Sequence, residues 1–228
     1  MRTHLQIAID GPAGVGKSTI GERLARQLGY IYVDTGAFYR TLTYASLREG
    51  IAPENMAALN SLARRIRIQI SAPLEAEDQQ YSVRVDGEDI TSQLRTPAVE
   101  AAVSEVSSHE PVRVTLIQRM REMADERGVV MVGRDIGTVV LKEADLKIFL
   151  TCSLEERARR RWSDLKAKYG ASAPSLATVE GEIARRDSID APHTRVAPDA
   201  VSLNNDHLEA DEVVELIRQI IRDRERPE

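Results

Sequence analysis

Gly11-Pro12-Ala13-Gly14-Val15-Gly16-Lys17-Ser18 places two glycines, a lysine and a hydroxyl at the spacing G-x-x-x-x-G-K-[ST]. A loop of this kind curls backbone N–H groups around phosphate. A helix starting at its end adds the positive end of its dipole. Lys17 is then expected to reach the β- and γ-phosphates of a nucleoside triphosphate, with the Ser18 hydroxyl offered to Mg²⁺. The motif points to a phosphoryl donor and leaves the acceptor open.

Other residues bear on the acceptor. Tyr32 to Arg40 (YVDTGAFYR) and Gly133 to Thr138 (GRDIGT) each follow an apolar, strand-like run. Both fall where ligands of open α/β sheets bind, at the carboxyl ends of strands. Arg186, Asp187 and Asp190 form a further cluster on or just after a helix. Arg157, Arg159, Arg160 and Arg161 crowd another, with Arg157 and Arg161 on one face. A monophosphate acceptor is already anionic near neutral pH, because its second pKa is about 6. It needs its repulsion with the donor neutralised and its oxygen held in line, rather than a strong base. Arginines suit that task. The histidines His4, His109, His193 and His207 show no base-like motif. A hydroxyl acceptor would call for a carboxylate base, and Asp34 or Asp135 is placed for it. A small-metabolite kinase therefore stays open at this level, as does a non-catalytic ATP-binding module. For each arginine the plain alternative is a solvated surface position or a structural ion pair.

The elements that must position these groups follow from periodicity. Leu5 to Ile9 alternates apolar residues as a strand and enters the glycine-rich loop. Ile20, Leu24 and Leu28 then share a helix face that stops at Gly29. Tyr30 to Val33 is a second strand, and Ala37 to Glu49 a helix ended by Gly50. Residues 129–132 and 147–151 are compact apolar strands. Ser153-x-x-Glu156 is a capping box opening a basic helix. Ala200 to Leu203 is a last strand and residues 210–224 a last helix. Strands alternating with helices give a parallel sheet covered on both faces. Residues 65–92 break the alternation. Ile66, Ile68 and Ile70, then Tyr81, Val83 and Val85, alternate around an Asp86-Gly87 turn, as in a small antiparallel insert.

Composition sets limits. The 228 residues suffice for one α/β core with small insertions, and 42% hydrophobic content is that of a globular protein. A net charge of −5 argues against non-specific nucleic-acid or anionic-membrane binding. No apolar run approaches the roughly 20 residues of a membrane span. The start of the chain shows no signal-peptide pattern. The single cysteine, Cys152, cannot form an internal disulfide, in keeping with a reducing, cytoplasmic compartment.

The strings IAIDGPAGVGKST, VDTGAFYR, GRDIGTVV, KIFLTCSLEERARRR and RRDSID, in that order from about Leu5 to Leu216, resemble the bacterial cytidylate kinase family. The combination of DTGAFYR with GRDIGTVV is specific, whereas the phosphate loop alone is not. The resemblance implies an α/β P-loop nucleoside-monophosphate-kinase fold: a five-stranded parallel sheet flanked by helices, an inserted antiparallel monophosphate-binding lobe and a short lid. A single kinase domain is expected, with core residues 1–36, 112–155 and 172–228, a lobe over about 37–111 and a lid over about 156–171.

It further implies ATP bound by Gly11, Pro12, Ala13, Gly14, Val15, Gly16, Lys17, Ser18 and Thr19, with Mg²⁺ as cofactor on Ser18. CMP or dCMP is expected on Thr35, Arg40, Ser104, Arg113, Arg134, Asp135, Arg186 and Asp190. Arg40 and Arg134 would hold the acceptor phosphate. Thr35, Ser104, Arg113 and Asp135 would surround the cytosine, and Arg186 and Asp190 the ribose. Arg157 and Arg161 would be lid arginines, joining Lys17 and Arg134 in catalysis. A monomer without nucleic-acid or membrane partners is expected. The chain departs from the family pattern after Asp190: the family carries a further arginine three residues on, where this chain has His193. Arg195 follows nearby, and the loop to Asp199 is shorter.

Overall fold

The computed structural model describes residues 4–71, 80–126 and 128–225. The parallel sheet comprises β1 (Gln6–Asp10), β2 (Ile31–Asp34), β6 (Val129–Val132), β7 (Leu146–Thr151) and β8 (Val201–Asn204), in the order β2-β6-β1-β7-β8. Helices flank it, and a second, antiparallel sheet of three strands stands apart in sequence. This is the expected fold class. Among the described residues no helix is long and apolar enough to cross a membrane.

The chain divides into two compact units. One contains Leu5–Leu28 and Val132–Glu228. Here β1 pairs in parallel with β7, Ile7 opposite Leu146 and Ile9 opposite Ile148. β7 pairs in turn with β8, Leu150 opposite Leu203. Ile7, Ile9, Leu146, Ile148 and Leu150 are all buried. Ala8 and Phe149, on the opposite faces of β1 and β7, are buried as well, as in strands covered on both sides. Helix α1 (Lys17–Leu28) buries Ile20 and Leu24, as its spacing foretold, and packs on α8 (Ala210–Glu225). Helices α6 (Leu154–Tyr169) and α7 (Leu176–Asp190) pack on each other around Ala158, Val179 and Ile183.

The other unit contains Gly29–Met131. Helix α2 (Thr35–Arg48) is capped by Asp34, whose carboxylate accepts the Gly36 N–H. It packs on α3 (Met56–Arg65) and α4 (Pro97–Ser108), while α3 packs on α5 (Glu110–Glu126). Phe38, Leu42, Leu59, Leu62, Leu116 and Met120 form the fully buried core between them. The insert is real and gains a strand that its pattern did not show. β3 (Ile68–Ser71) pairs with β4 (Ser82–Val85), Ile70 opposite Val83, and β4 pairs with the short β5 (Glu88–Asp89). Asp86 and Gly87 both take positive φ, as a two-residue turn matching strand twist requires. Helices α4 and α5 do not show in the sequence pattern. Their starts carry Pro97 and Pro111, and α4 is rich in small residues, which blurs the helical period.

Candidate active site

The glycine-rich loop leaves β1 and enters α1 as expected. Gly11 has φ 149°, and a Cβ there would lie 2.4 Å from the Leu150 carbonyl oxygen, so only glycine fits between the loop and β7. Lys17 opens α1 with its side chain folded along the loop; Nζ donates to the Gly11 and Pro12 carbonyls, both at 2.7 Å. The ammonium is thus held beside the loop that would receive phosphates. Ser18 follows it on the first turn of α1, half-buried.

Three groups brace the loop and the segment after β6, and of these the sequence singles out only Arg157. Asn205, fully buried after β8, donates from Nδ2 to the Val15 carbonyl at 2.7 Å. Arg157 donates from Nη1 to the Ala13 carbonyl at 2.8 Å and from Nε to the Cys152 carbonyl at 3.2 Å. Its Nη2 pairs with Asp187 at 2.7 Å. The sequence groups Asp187 with Arg186 and Asp190 but gives it no role, and the family resemblance implies that Arg157 is a lid arginine. The structure places Arg157 at 5% exposure against the loop, whereas Arg161, one turn on, is exposed. The third group is Asp10, the last residue of β1. Its carboxylate accepts the Ile136 N–H at 2.8 Å and the Gly137 N–H at 2.7 Å. Burial pushes this carboxyl up to about 6, with Asp135 adding to the rise; the two amides and Lys17 oppose it. The available signal for Asp10 was an acid ending an apolar strand directly before a glycine-rich loop.

The capping box is half as expected. Ser153 Oγ accepts the Glu156 N–H at 3.2 Å, but Glu156 does not return the bond. Its carboxylate binds Arg159 and Arg160, and Asp206 accepts the Ser153 N–H instead. Two arginines within one turn outcompete a neutral amide for a carboxylate. Arg160 also donates to the Asn205 carbonyl at 2.7 Å, so it ties α6 to the segment after β8.

In the same unit, Arg134 follows β6 and donates from Nε to Asp190 Oδ2 at 2.8 Å. Arg186 Nε lies 3.8 Å from that oxygen. Both Arg186 and Asp190 lie on the last turn of α7, four apart as supposed. Asp135 heads a π-helical turn, Ile136–Val140, and its carbonyl accepts the Val139 and Val140 N–H groups.

In the other unit, Thr35 and Arg40 lie on α2, Ser104 on α4 and Arg113 on α5. Arg40 Nε binds Glu100 Oε1 at 3.0 Å, and Ser104 stands one turn beyond Glu100. The Arg40 guanidinium folds back over the start of α2, where a Cβ on Gly36 would meet Nη1 at 2.6 Å. Arg113 stacks over the Tyr39 ring, 5.7 Å from its centre. Helix packing therefore gathers α2, α4 and α5, with Arg40 and Arg113 each engaged by a neighbouring helix. Asp34, one candidate for a base, is occupied as a helix cap.

A family profile described as "Cytidylate kinase" matches residues 7–223. Curated relatives include a cytidylate kinase of Chloroflexus aggregans, 46% identical over 218 residues, covering 95% of this chain and 94% of the relative. A cytidylate kinase of Symbiobacterium thermophilum is 48% identical, covering 94% of each chain. Among solved structures, a shikimate kinase from Acinetobacter baumannii aligns with TM-score 0.51 at 16% identity, covering 99% of this chain and 97% of that one. An uncharacterized protein from Eubacterium ventriosum aligns with TM-score 0.56 at 11% identity, covering 97% and 99%. These two likenesses bear on the fold alone.

Proposed function

The chain belongs to the cytidylate kinase family, and from that premise we propose that it transfers the γ-phosphoryl of ATP to CMP or dCMP, giving ADP and CDP or dCDP. The observation that carries the reading is the phosphate loop, with Lys17 laid along it and the Arg134–Asp135 segment anchored to the adjoining strand end through Asp10. In this reading the loop amides from Gly11 to Thr19 cradle the ATP phosphates, and Lys17 leaves its carbonyl partners for charge that develops in transfer.

Arg40 and Arg134 hold the phosphate of CMP, neutralising its repulsion with ATP. Thr35, Ser104, Arg113 and Asp135 take the cytosine, and Arg186 and Asp190 the ribose. Arg161 meets the transferring phosphoryl from the exposed face of α6. Arg157 contributes through its bond to the Ala13 carbonyl. The Ser18 hydroxyl is a hard oxygen donor at a helix start, which fits Mg²⁺ shared with substrate phosphates. When bound, that ion would neutralise phosphate charge. No general base is needed, since the acceptor phosphate is itself the nucleophile. The chain works as a monomer in the cytoplasm.

An ADP-release assay with ATP against CMP, dCMP, UMP, AMP, GMP and shikimate tests the reading. CMP and dCMP should stand well above UMP, with purine monophosphates and shikimate poor. Groups that pair with the cytosine edge are left unpaired against uracil, at about 1–3 kcal/mol each. Equal efficiency with UMP or a preference for shikimate would overturn it.

A further inference from the structure

We propose that Asp10 is a positioning residue of the acceptor site: its ionised carboxylate holds the Ile136 and Gly137 amides, and so fixes the segment carrying Arg134 and Asp135. The segment is tethered at both ends. Before it, the Gly133 N–H donates to the Ile9 carbonyl at 3.1 Å. After it, the Ile136 and Gly137 N–H groups donate to separate oxygens of Asp10, at 2.8 and 2.7 Å. Only Arg134 and Asp135 lie between the tethers. Gly137 allows the approach: a Cβ there would stand 3.3 Å from Asp10 Oδ2 and 3.2 Å from Lys147 Cδ.

The chemistry of the latch requires a carboxylate. Ionised, it accepts strongly on both oxygens; protonated, one oxygen becomes a hydroxyl, a poorer acceptor, and one of the two bonds weakens. Two charged groups act on Asp10, and the aliphatic stem of a third lies beside Gly137. Lys17 from α1 favours the ionised form and Asp135 from the tethered segment disfavours it. Lys147 from β7 packs its aliphatic stem over Gly137 while its Nζ binds Asp199 at 2.9 Å. Burial at 3% exposure outweighs the favourable contacts and brings the titration to about 6. A proton taken up there slackens one tether of the acceptor arginine. The substitution Asp10→Asn imposes that slackened state at every pH.

This inference rests on the assignment of Arg134 and Asp135 to the CMP site, so two measurements separate the two ideas. The first follows the backbone amide resonances of Ile136 and Gly137 in the ligand-free chain from about pH 5 to pH 8. Substrate is left out because CMP itself titrates at about 6. Both resonances should move together with a midpoint of about 6 in the wild type and stay fixed in Asp10→Asn. Flat wild-type resonances would overturn the loosening of the latch by protonation, whether or not the variant folds. The second is steady-state kinetics of Asp10→Asn near pH 8. The KM for CMP should rise at least tenfold and the KM for ATP less than threefold. An unchanged KM for CMP, or equal rises in both as from general loosening of the glycine-rich loop, would overturn the positioning role. A wild-type chain that does not phosphorylate CMP would refute the proposed function instead, leaving the resonances to judge the latch.

Discussion

Arg134 Nε donates to Asp190 Oδ2 at 2.8 Å, so the arginine proposed for the acceptor phosphate and the carboxylate proposed for the ribose are partners of each other. Bonding through Nε orients the guanidinium and leaves its outer nitrogens to face an anion. Asp190→Ala removes both a proposed ribose contact and this orientation, whereas Arg186→Met removes a proposed ribose contact and only the longer, 3.8 Å pairing with Asp190. Each should lower kcat/KM for CMP at least tenfold, about 1.4 kcal/mol, with Asp190→Ala the larger loss. Kinetics on both purified variants decide it; a smaller loss in Asp190→Ala would show that Arg134 keeps its aim unaided.

Arg157 and Arg161 should separate into structure and catalysis. Arg157→Met leaves Asp187 without its cation and the Ala13 carbonyl without its donor. Breaking a pair with one side chain 6% and the other 28% exposed should cost about 2–4 kcal/mol in urea unfolding, toward the lower end of the range for buried pairs. Arg161→Ala, on the exposed face, should change stability by less than about 0.5 kcal/mol while lowering kcat. Equal stability losses in the two variants would erase the distinction.

Lys17→Ala should fold and bind CMP yet lose most of its kcat. The carbonyls of Gly11 and Pro12 lose a partner in the variant, so a modest drop in melting temperature is also expected. A folded variant with near-normal kcat would remove the loop as donor site.

The elements legible in the sequence were those with a strong period or a strict turn. The buried strands β1, β6 and β7, the α1 stripe of Ile20 and Leu24, and the Asp86-Gly87 turn are of this kind. The glycine-rich loop was legible because its chemistry demands fixed spacing. What could not be read were partners distant in sequence. Asp10 meets Gly137 across 127 residues and Asn205 meets Val15 across 190. Neither pairing leaves a local mark, because a lone acid or amide has no period. Arg157 shows the same limit. Its spacing from Arg161 placed both on one helix face, but only packing against α7 decides which of them is buried.

Stability in acid should depend on Glu156. The bond from Arg159 leads, and Arg160 helps, in holding its carboxyl down at about 2, below the ordinary 4.5. Between those values the unfolded chain binds the proton that the folded chain refuses. The stabilisation is therefore complete above about pH 4.5 and is lost as pH falls toward 2. Glu156→Gln should be less stable than wild type at pH 7, with the gap closing as pH falls through that window. Asp206, also held near 2, titrates in both proteins and cancels in the difference. Urea midpoints at pH 7, 4 and 3 check this; a gap independent of pH would show that lost packing, not charge, is responsible.

Arg195 should matter far less than Arg186. Helix α7 ends at Asp190, and the Asp190 carbonyl accepts both the His193 and Thr194 N–H groups, closing a tight turn around Pro192. Proline lacks the N–H that a continuing helix would need, so the face shared by Arg186 and Asp190 stops there. Arg195 is exposed beyond that turn, and His193, three residues after Asp190, is exposed within it. Arg195→Met should change kcat/KM for CMP less than threefold, against at least tenfold for Arg186→Met. His193→Ala, measured beside them with KM for ATP as control, reports whether the imidazole has taken a share of the ribose. A loss in Arg195→Met as large as that in Arg186→Met would mean that the loop delivers Arg195 to the acceptor after all.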